Sequence, residues 1–239
     1  IPGFSMGIVD NNEMIYSKVF GYTDLSKNFK ITLDTPFSLQ SISKTYTAFG
    51  FMLAVANNKV SLDDPLKKYI PEFRIKSKDH VDYSGLITFR HLMKHRSGLA
   101  HEAPVGNNYA YGSFEKHIRS IYDTYLKFAP DQDYSYSNLG IDLVAHAIER
   151  IFEMSFDEYM RRFVFDPLEM KSSTYNQDEI LLNLKVAAGH NVSTYAKYPI
   201  PMLGAGGMYS SVNDMAHFMA CFLNNGTYKN KNITQYHCC

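Results

Sequence analysis

The sequence predicts an α+β fold, in which an N-terminal antiparallel hairpin precedes a long helical region. Two apolar runs, residues 4–10 and 13–20, are separated by the polar turn Asp10-Asn11-Asn12, a pattern typical of a β-hairpin. From residue 41 onward, apolar residues recur at helical spacing instead. Because strands and helices are segregated along the chain, the pattern favours α+β over an alternating α/β architecture.

The helical region divides into segments bounded by polar or turn-forming residues. Its clearest pattern, at residues 138–152, predicts an amphipathic helix. The other predicted helices are residues 41–55, a short one after Leu62-Asp63-Asp64-Pro65, residues 86–96, residues near 113–127, residues 155–165, and a last one that opens at Ser211-Val212-Asn213-Asp214 and ends near Leu223. Gly204 to Gly207 is predicted to be a flexible turn. We expect one domain over residues 1–239, with the hairpin at about 3–21 and the helical region at about 41–224.

Composition and charge narrow the classes of function. Lys plus Arg and Asp plus Glu both number 24, so the net charge is zero, and the basic excess typical of nucleic-acid binding is missing. No apolar run in the 239 residues reaches the length of a membrane span, so no transmembrane segment is expected. Cys221, Cys238 and Cys239 are too few for a disulfide framework. The sequence implies neither a metal ion nor an organic cofactor.

The first chemical signal is Ser41-Ile42-Ser43-Lys44, at the predicted start of a helix. The Ser41 hydroxyl would lie near the positive end of the helix dipole, and Lys44 would follow one turn later on the same face. A serine hydroxyl is a poor nucleophile until a neighbouring base takes its proton, and a lysine can be that base only if burial or nearby charge lowers its pKa. The same four residues also fit an exposed serine and lysine at an ordinary helix start.

The second signal is Tyr136-Ser137-Asn138, immediately before the strongest predicted helix. A tyrosine next to Lys44 could relay a proton to a leaving group. The Asn138 amide offers donors and an acceptor, which suits it to bind a substrate amide and the Lys44 ammonium. The alternative interpretation is a turn-forming cluster of Tyr and Asn.

Five segments, taken in order, resemble the class C β-lactamase and D-Ala-D-Ala carboxypeptidase family of serine hydrolases. They are Phe37 to Thr47 with its Ser-x-x-Lys motif, Ser61 to Phe73, Leu92 to Leu99, Tyr136 to Gly140, and Gly206 to Asp214. Pro2 to Val9 also matches the opening strand of that family, so the resemblance covers residues 2–227. It implies a β-lactamase/transpeptidase-like fold, with a large helical lobe and an antiparallel sheet that here lacks most of its C-terminal strands.

The resemblance also implies a chemistry. Ser41 would form the acyl-enzyme, with its own backbone N–H as one oxyanion donor, and Lys44 and Tyr136 would share general-base and general-acid work. Asn138 and Gln40 are the candidate substrate-binding residues. The substrate would be a β-lactam, a D-Ala-D-Ala peptide or a small ester, and the partner therefore a small molecule or a peptide. The family points to the periplasm, the cell surface or secretion, while the sequence itself leaves compartment and oligomeric state open.

One departure from the family concerns its third motif. That motif, Lys-Thr-Gly or His-x-Gly, lies on a strand after the last helix, and the residues from there to Cys239 contain neither form. We therefore expect a chain that is truncated at both ends. The alternative to a hydrolase is a catalytically inactive relative, or a truncated product, that acts as a binding or scaffold protein.

Three other motifs imitate functional sites and have simpler interpretations. Gly3-Phe4-Ser5-Met6-Gly7 matches a nucleophile elbow, but that elbow needs a strand before it and a helix after it. His91 and His95 have the spacing of two zinc ligands, but without a third ligand we expect structural histidines, with His95 near the site. Asp63-Asp64-Pro65 is expected to cap the short helix that follows.

Overall fold

A computed structural model of the chain describes residues 2–106, 112–183, 185–190, 195–196 and 200–233. Cys238 and Cys239 lie outside the described residues. None of the helices that the described residues form has the length and apolar character that a membrane span requires.

The described residues form eight α-helices and eight strands, together with short 3-10 helices at Gln40–Ile42 and Leu66–Lys68 and a π-helix at Arg161–Phe165. The helices are α1 (Ser43–Ala56), α2 (Phe89–Met93), α3 (Phe114–Ile121), α4 (Asn138–Phe152), α5 (Phe156–Met160), α6 (Gln177–Leu182), α7 (Leu203–Gly206) and α8 (Val212–Leu223). The strands are β1 (Gly3–Asp10), β2 (Glu13–Gly21), β3 (Phe37–Ser38), β4 (Gly189–His190), β5 (Tyr195–Ala196), β6 (Tyr209–Ser210), β7 (Thr227–Tyr228) and β8 (Lys231–Asn232). They pair antiparallel as β1–β2, β3–β6, β4–β5 and β7–β8. This combination confirms the predicted α+β class.

The chain divides into two compact units. The first, which we call the strand unit, comprises Ile1–Leu39, Met160–Pro199 and Met208–Cys239. The second, which we call the helical unit, comprises Gln40–Tyr159 and Ile200–Gly207. The single domain expected from the sequence stays a prediction.

In the strand unit, β1 and β2 form a hairpin at the two apolar runs. The strands pair from Gly3 opposite Gly21 to Asp10 opposite Glu13, and α8 packs against both of them. Large apolar side chains of the hairpin remain exposed, namely Phe4, Met6, Ile8, Ile15, Tyr16, Val19 and Phe20.

In the helical unit, α4 occupies the centre, and α1, α2, α3 and α7 all pack against it. From residue 139 to 148 its apolar residues are almost completely removed from solvent, namely Leu139, Ile141, Leu143, Val144, Ala145, Ala147 and Ile148. Full burial of one such large aliphatic side chain contributes about 1.5–3 kcal/mol, so packing rather than intrinsic propensity stabilises this helix.

Predicted helix boundaries are closest to the structure where a cap residue marks them. α4 begins at Asn138 as predicted, because the Ser137 hydroxyl accepts from the Gly140 N–H at 3.3 Å. α8 begins after Ser211, whose hydroxyl accepts from the Asp214 N–H at 3.1 Å.

Several segments differ from their predicted form. α3 ends at Ile121 rather than near residue 127, and the helix predicted at 155–165 divides into α5 and a π-helix at Arg161–Phe165. α1 begins at Ser43 rather than residue 41, because Gln40–Ile42 forms a separate 3-10 turn. α2 is shorter than predicted, since the Thr88 side chain caps it only at Phe89. The flexible turn predicted at residues 204–207 is wrong, because Leu203–Gly206 forms the helical turn α7, packed between α1 and α4.

Candidate active site

Ser41 lies in the turn that leads into α1, and its side chain is exposed. Two side chains reach its hydroxyl. Lys44 Nζ donates to Ser41 Oγ at 3.1 Å, and Tyr136 OH donates to the same oxygen at 2.9 Å. The helical unit therefore brings together, at one oxygen atom, three residues that come from two separate sequence motifs.

Lys44 is half-buried, and its ammonium has several partners. Besides Ser41 Oγ, Nζ donates to the Ala205 carbonyl oxygen of α7 at 2.6 Å. Nζ also lies 5.0 Å from the centroid of the Tyr136 ring, within the range of a cation–π attraction. These contacts hold the amine in a position from which it can exchange a proton with Ser41.

The electrostatic surroundings of Tyr136 favour the loss of its proton. Burial alone would raise the pKa of Tyr136, but its hydrogen bonds with Lys44 and Ser41 and the positive charge of Lys44 outweigh burial. The pKa of Tyr136 therefore lies below its usual range. A phenol with a lowered pKa is a better general base near neutral pH.

Two histidine rings flank Tyr136. The ring centroids of His95 and His101 lie 4.6 and 5.5 Å from that of Tyr136. His95 Nδ1 accepts from the Ser137 N–H at 3.2 Å, which fixes the orientation of the ring. Burial and the nearby charge of Lys44 lower the pKa of His95, which favours the uncharged ring. A neutral, hydrogen-bonded ring agrees with the structural role expected for His95.

Asn138 is the first residue of α4 and is 8% exposed. Its backbone N–H donates to the His101 carbonyl at 3.0 Å, and its Nδ2 donates to Glu102 Oε1 at 3.5 Å. Its Oδ1 is buried and has no hydrogen-bond partner among the described residues. Buried amide oxygens are almost always hydrogen-bonded in folded proteins, so this oxygen has an acceptor position still to fill.

Gln40 precedes Ser41, is exposed, and has a positive φ of 48°. Its Oε1 borders α7, where a Cβ added at Gly206 would meet it at 3.9 Å. The structure thus brings Ser41, Lys44 and Tyr136 into direct contact. The two predicted substrate-binding residues have other neighbours: Gln40 borders α7, and Asn138 contacts Glu102.

Two groups at the site were not predicted, the Ala205 carbonyl and the Glu102 carboxylate. The glycines around Ala205 predicted a turn, and a backbone carbonyl has no signature in a sequence. Glu102 follows the matched segment that ends at Leu99, but an isolated acidic residue in a loop is most often simply solvated.

The other motifs form no competing site. Gly3 to Gly7 lies within β1 and is not followed by a helix, so it makes no nucleophile elbow. His91 Nδ1 accepts from the Thr88 N–H at 3.3 Å, whereas His95 faces Ser137. Over the described part of the chain, no three His, Cys, Asp or Glu side chains converge as a metal site would require.

The prediction that Asp63 and Asp64 cap the turn after Pro65 is wrong, because no side chain caps it. Asp63 instead forms two hydrogen bonds with Arg90, at 2.6 and 2.8 Å. Asp64 accepts from the Tyr69 hydroxyl at 2.7 Å. The same Asp64 oxygen accepts from the Ser61 N–H at 2.9 Å, upstream of the turn rather than within it.

Comparison with known proteins identifies the family and the fold of this chain. The family model described as Beta-lactamase matches residues 1–235. Beta-lactamase-like protein 2 of Dictyostelium discoideum is 31% identical over 237 residues, which are 94% of this chain and 43% of that protein. The D-alanyl-D-alanine-carboxypeptidase/endopeptidase AmpH of Escherichia coli K12 is 27% identical over 236 residues, 96% of this chain and 60% of AmpH. The chain thus spans roughly half the length of these relatives.

Two solved structures share the fold. The octameric penicillin-binding protein homologue from Pyrococcus abyssi superposes with a TM-score of 0.81 and 23% identity, over 98% of this chain and 55% of that one. FmtA from Staphylococcus aureus superposes with a TM-score of 0.79 and 22% identity, over 94% of this chain and 63% of FmtA. These likenesses confirm the fold that the sequence resemblance implies.

Proposed function

The chain belongs to the Beta-lactamase family, and on that basis we propose that it is a serine hydrolase that transfers an acyl group from an amide or ester to Ser41 and then to water. The observation that carries the proposal is the Ser41 hydroxyl, 3.1 Å from Lys44 Nζ and 2.9 Å from Tyr136 OH. A hydroxyl with two titratable neighbours in hydrogen-bond reach has the arrangement of an activated nucleophile. The name of AmpH, a carboxypeptidase/endopeptidase, supports hydrolysis as the reaction class.

In the acylation step, the Ser41 proton passes to the Tyr136 phenolate or to an uncharged Lys44 amine, and Oγ bonds to the substrate carbonyl carbon. The carbonyl electrons move onto oxygen, where the Ser41 backbone N–H would donate to the developing charge. The C–N or C–O bond to the leaving group then breaks, and the same acid returns the proton to the leaving atom. The lowered pKa of Tyr136 supports it as the base.

Deacylation repeats these steps with water as the nucleophile. Tyr136 or Lys44 takes a proton from water, whose oxygen bonds to the acyl carbon. The ester bond to Ser41 Oγ then breaks, and Oγ regains the proton. The products are a carboxylic acid and the starting enzyme.

Asn138 supports substrates that carry an amide next to the scissile bond. Its buried Oδ1 lacks a partner among the described residues and would accept from such an N–H. A β-lactam with an acylamino substituent and a D-Ala-D-Ala peptide both offer one. A small ester without an amide would leave Oδ1 unsatisfied, so we propose that amide-bearing substrates react faster, with Gln40 as a second binding residue.

The direct test is intact mass spectrometry after incubation with a fluorophosphonate probe or a β-lactam. We expect wild type to gain one lasting adduct with the fluorophosphonate, because the activated Ser41 hydroxyl attacks the phosphorus, displaces fluoride and keeps the phosphonyl group. With a β-lactam we expect either a Ser41 adduct or its hydrolysed product. Ser41→Ala should gain no adduct, while Ser77→Ala, a serine of the same unit whose hydroxyl donates to the Val81 carbonyl, should be labelled like wild type. An adduct that persists in Ser41→Ala would place the nucleophile elsewhere. A wild type that gains no fluorophosphonate adduct, and that binds a β-lactam without hydrolysing it, would favour the inactive binding protein.

A further inference from the structure

His117 of α3 and Asp142 of α4 form a buried pair in the helical unit, and both side chains are 0% exposed. His117 Nε2 lies 2.9 Å from Asp142 Oδ2, and His117 Nδ1 lies 2.6 Å from the Val105 carbonyl oxygen. Both partners are acceptors, so each ring nitrogen must carry a proton for both bonds to form. With Asp142 ionised, the ring is an imidazolium whose charge balances that of the carboxylate.

The surroundings of the ring agree with this charge. Burial by itself would lower the pKa of His117, but the hydrogen bond and charge of Asp142, the Val105 carbonyl and the charge of Glu102 together raise it. The space around the ring is also closely filled, because a Cβ added at Gly106 would come within 2.5 Å of His117 Nδ1.

The second oxygen of Asp142 connects this pair to α7. Asp142 Oδ1 accepts from the Ala205 N–H at 2.9 Å, and the Ala205 carbonyl accepts from Lys44 Nζ at 2.6 Å. Thr47 of α1 donates to the Gly204 carbonyl at 2.8 Å. The single turn of α7 is thereby held by side chains from α4 on one side and α1 on the other.

Close packing reinforces these hydrogen bonds. A Cβ added at Gly204 would lie 2.7 Å from Ala145 Cβ and 3.0 Å from the Ile141 carbonyl, so α7 approaches α4 as closely as only glycine permits. Four residues around Ala205 form one buried apolar cluster with it, Ile141, Ile200, Met202 and the partly buried Met93. The direction of the Ala205 carbonyl is therefore fixed by groups other than Lys44.

We propose that Asp142 and His117 are positioning residues for the hydrolysis proposed above: they fix Ala205, whose carbonyl holds Lys44 Nζ against Ser41 Oγ. A buried ion pair is weak evidence for a role in stability alone, since an apolar pair of similar volume is often as stable. The Asp142 carboxylate binds the His117 ring with one oxygen and the Ala205 N–H with the other, and an apolar pair could not make these two directional bonds. The carboxylate defines where the α7 backbone lies relative to α4.

The test compares Asp142→Leu, Asp142→Asn and the matched control Ser84→Ala. Ser84 is a buried residue of the same unit whose hydroxyl accepts from the Ile75 N–H at 3.0 Å, and it has no bond to α7. Labelling of Ser41 by a fluorophosphonate is followed over time. The amplitude reports the folded fraction, and the rate constant reports the activation of Ser41 in the molecules that are folded.

We expect Asp142→Leu to lower the rate constant at least tenfold, because Ala205 loses the acceptor of its N–H. Asp142→Asn should stay within about threefold of wild type, since an amide oxygen still accepts from Ala205 and its NH₂ can donate to a neutral His117. Ser84→Ala should lower the thermal midpoint and leave the rate constant unchanged. An Asp142→Leu rate constant equal to that of wild type overturns the proposal. If Asp142→Leu does not fold, His117→Phe is the deciding variant. A several-fold lower rate constant of Ser41 labelling supports the proposal, and an unchanged rate constant overturns it.

A second readout separates this inference from the proposed function on which it rests. Acetylation of Lys44 by acetic anhydride, measured by peptide mass spectrometry, needs no reactive serine. We expect Asp142→Leu to accelerate it several-fold and Ser84→Ala to leave it unchanged. A wild type without a Ser41 adduct, together with accelerated acetylation in Asp142→Leu, would refute the hydrolase and keep the positioning role. Unchanged acetylation in Asp142→Leu would refute the positioning role.

Discussion

Asp142 in the helical unit and Asp214 in the strand unit are both buried carboxylates, and they are held in different ways. Asp142 is 0% exposed, and its Oδ2 lies 2.9 Å from His117 Nε2. Asp214 is 2% exposed, and its Oδ2 accepts from the Ser172 N–H and the Ser173 hydroxyl, both at 2.7 Å. One carboxylate has a cationic partner, and the other has neutral donors.

The difference shows how the partner decides what a buried carboxylate does. Burial raises the pKa of Asp214, because its neutral donors and the nearby His217 offset the loss of water only in part. The charge of Asp142 is matched by an imidazolium, and the ion remains a fixed acceptor for Ala205. Asp142 therefore defines geometry next to the candidate site, whereas Asp214 acts as a hydrogen-bond acceptor at the start of α8.

The largest expected difference is in the free energy of unfolding. Asp142→Ala should lower it by about 3–5 kcal/mol, because the buried His117 ring loses its charged partner and the buried Ala205 N–H loses its acceptor. Asp214→Ala leaves only neutral donors unpaired and should cost about 1–3 kcal/mol. Urea unfolding followed by circular dichroism measures both values. Equal losses of unfolding free energy in the two variants would show that the cationic partner of Asp142 makes no difference.

The pH dependence of stability sharpens the comparison. The pKa values of His117 and Asp214 are both raised in the folded chain, so each stabilises fully below its unfolded pKa and loses that contribution as pH rises through its folded pKa. The loss begins near pH 6.5 for His117 and near pH 3.9 for Asp214, roughly the unperturbed values. As pH rises, the urea midpoint of unfolding should decrease in two separate pH windows. His117→Phe should flatten only the upper one and Asp214→Asn only the lower one, and a variant that keeps the slope in its own window would contradict the assignment.

The smallest expected effect concerns the two cap residues. Ser137 caps α4 and also donates to the Ala100 carbonyl at 2.6 Å, whereas Ser211 caps α8 through the Asp214 N–H. Loss of a cap costs about 1 kcal/mol, so Ser211→Ala should lower the free energy of unfolding by about that amount and Ser137→Ala by about 1–2 kcal/mol. Ser→Thr at each position is the control that keeps a cap. A larger loss of unfolding free energy for Ser211→Ala than for Ser137→Ala would show that the hydrogen bond from Ser137 to the Ala100 carbonyl contributes nothing.

The sequence predicted those parts of the molecule that depend on neighbours along the chain. The helix at 138–152 has its predicted bounds because a strong apolar period follows a serine cap. Ser41 and Lys44 were found because one helical turn separates them, and the motif at 136–138 supplied the third member. These signals are local, and a pattern in the sequence can carry them.

The remainder depends on contacts between distant segments. His117 and Asp142 meet only because α3 packs against α4, and neither residue stands in a motif. The Ala205 carbonyl belongs to a glycine-rich segment that looks like a turn, and it forms a helical turn because α1 and α4 enclose it. Tertiary packing overrides local propensity at such places.

The extended backbone of Ser137, with φ −140° and ψ 120°, has a consequence for how this site can vary. In extended chain, the side chains on either side of a residue emerge in the same direction. Tyr136 and Asn138 accordingly reach two adjacent residues, the ring of His101 and the carboxylate of Glu102. Inserting or deleting one residue here would turn one of the two side chains to the opposite face. At Ser137 itself, which is buried, Thr is the replacement that keeps both a cap and a hydroxyl able to donate to the Ala100 carbonyl, so the motif is constrained in its length and, at its centre, to a hydroxyl side chain.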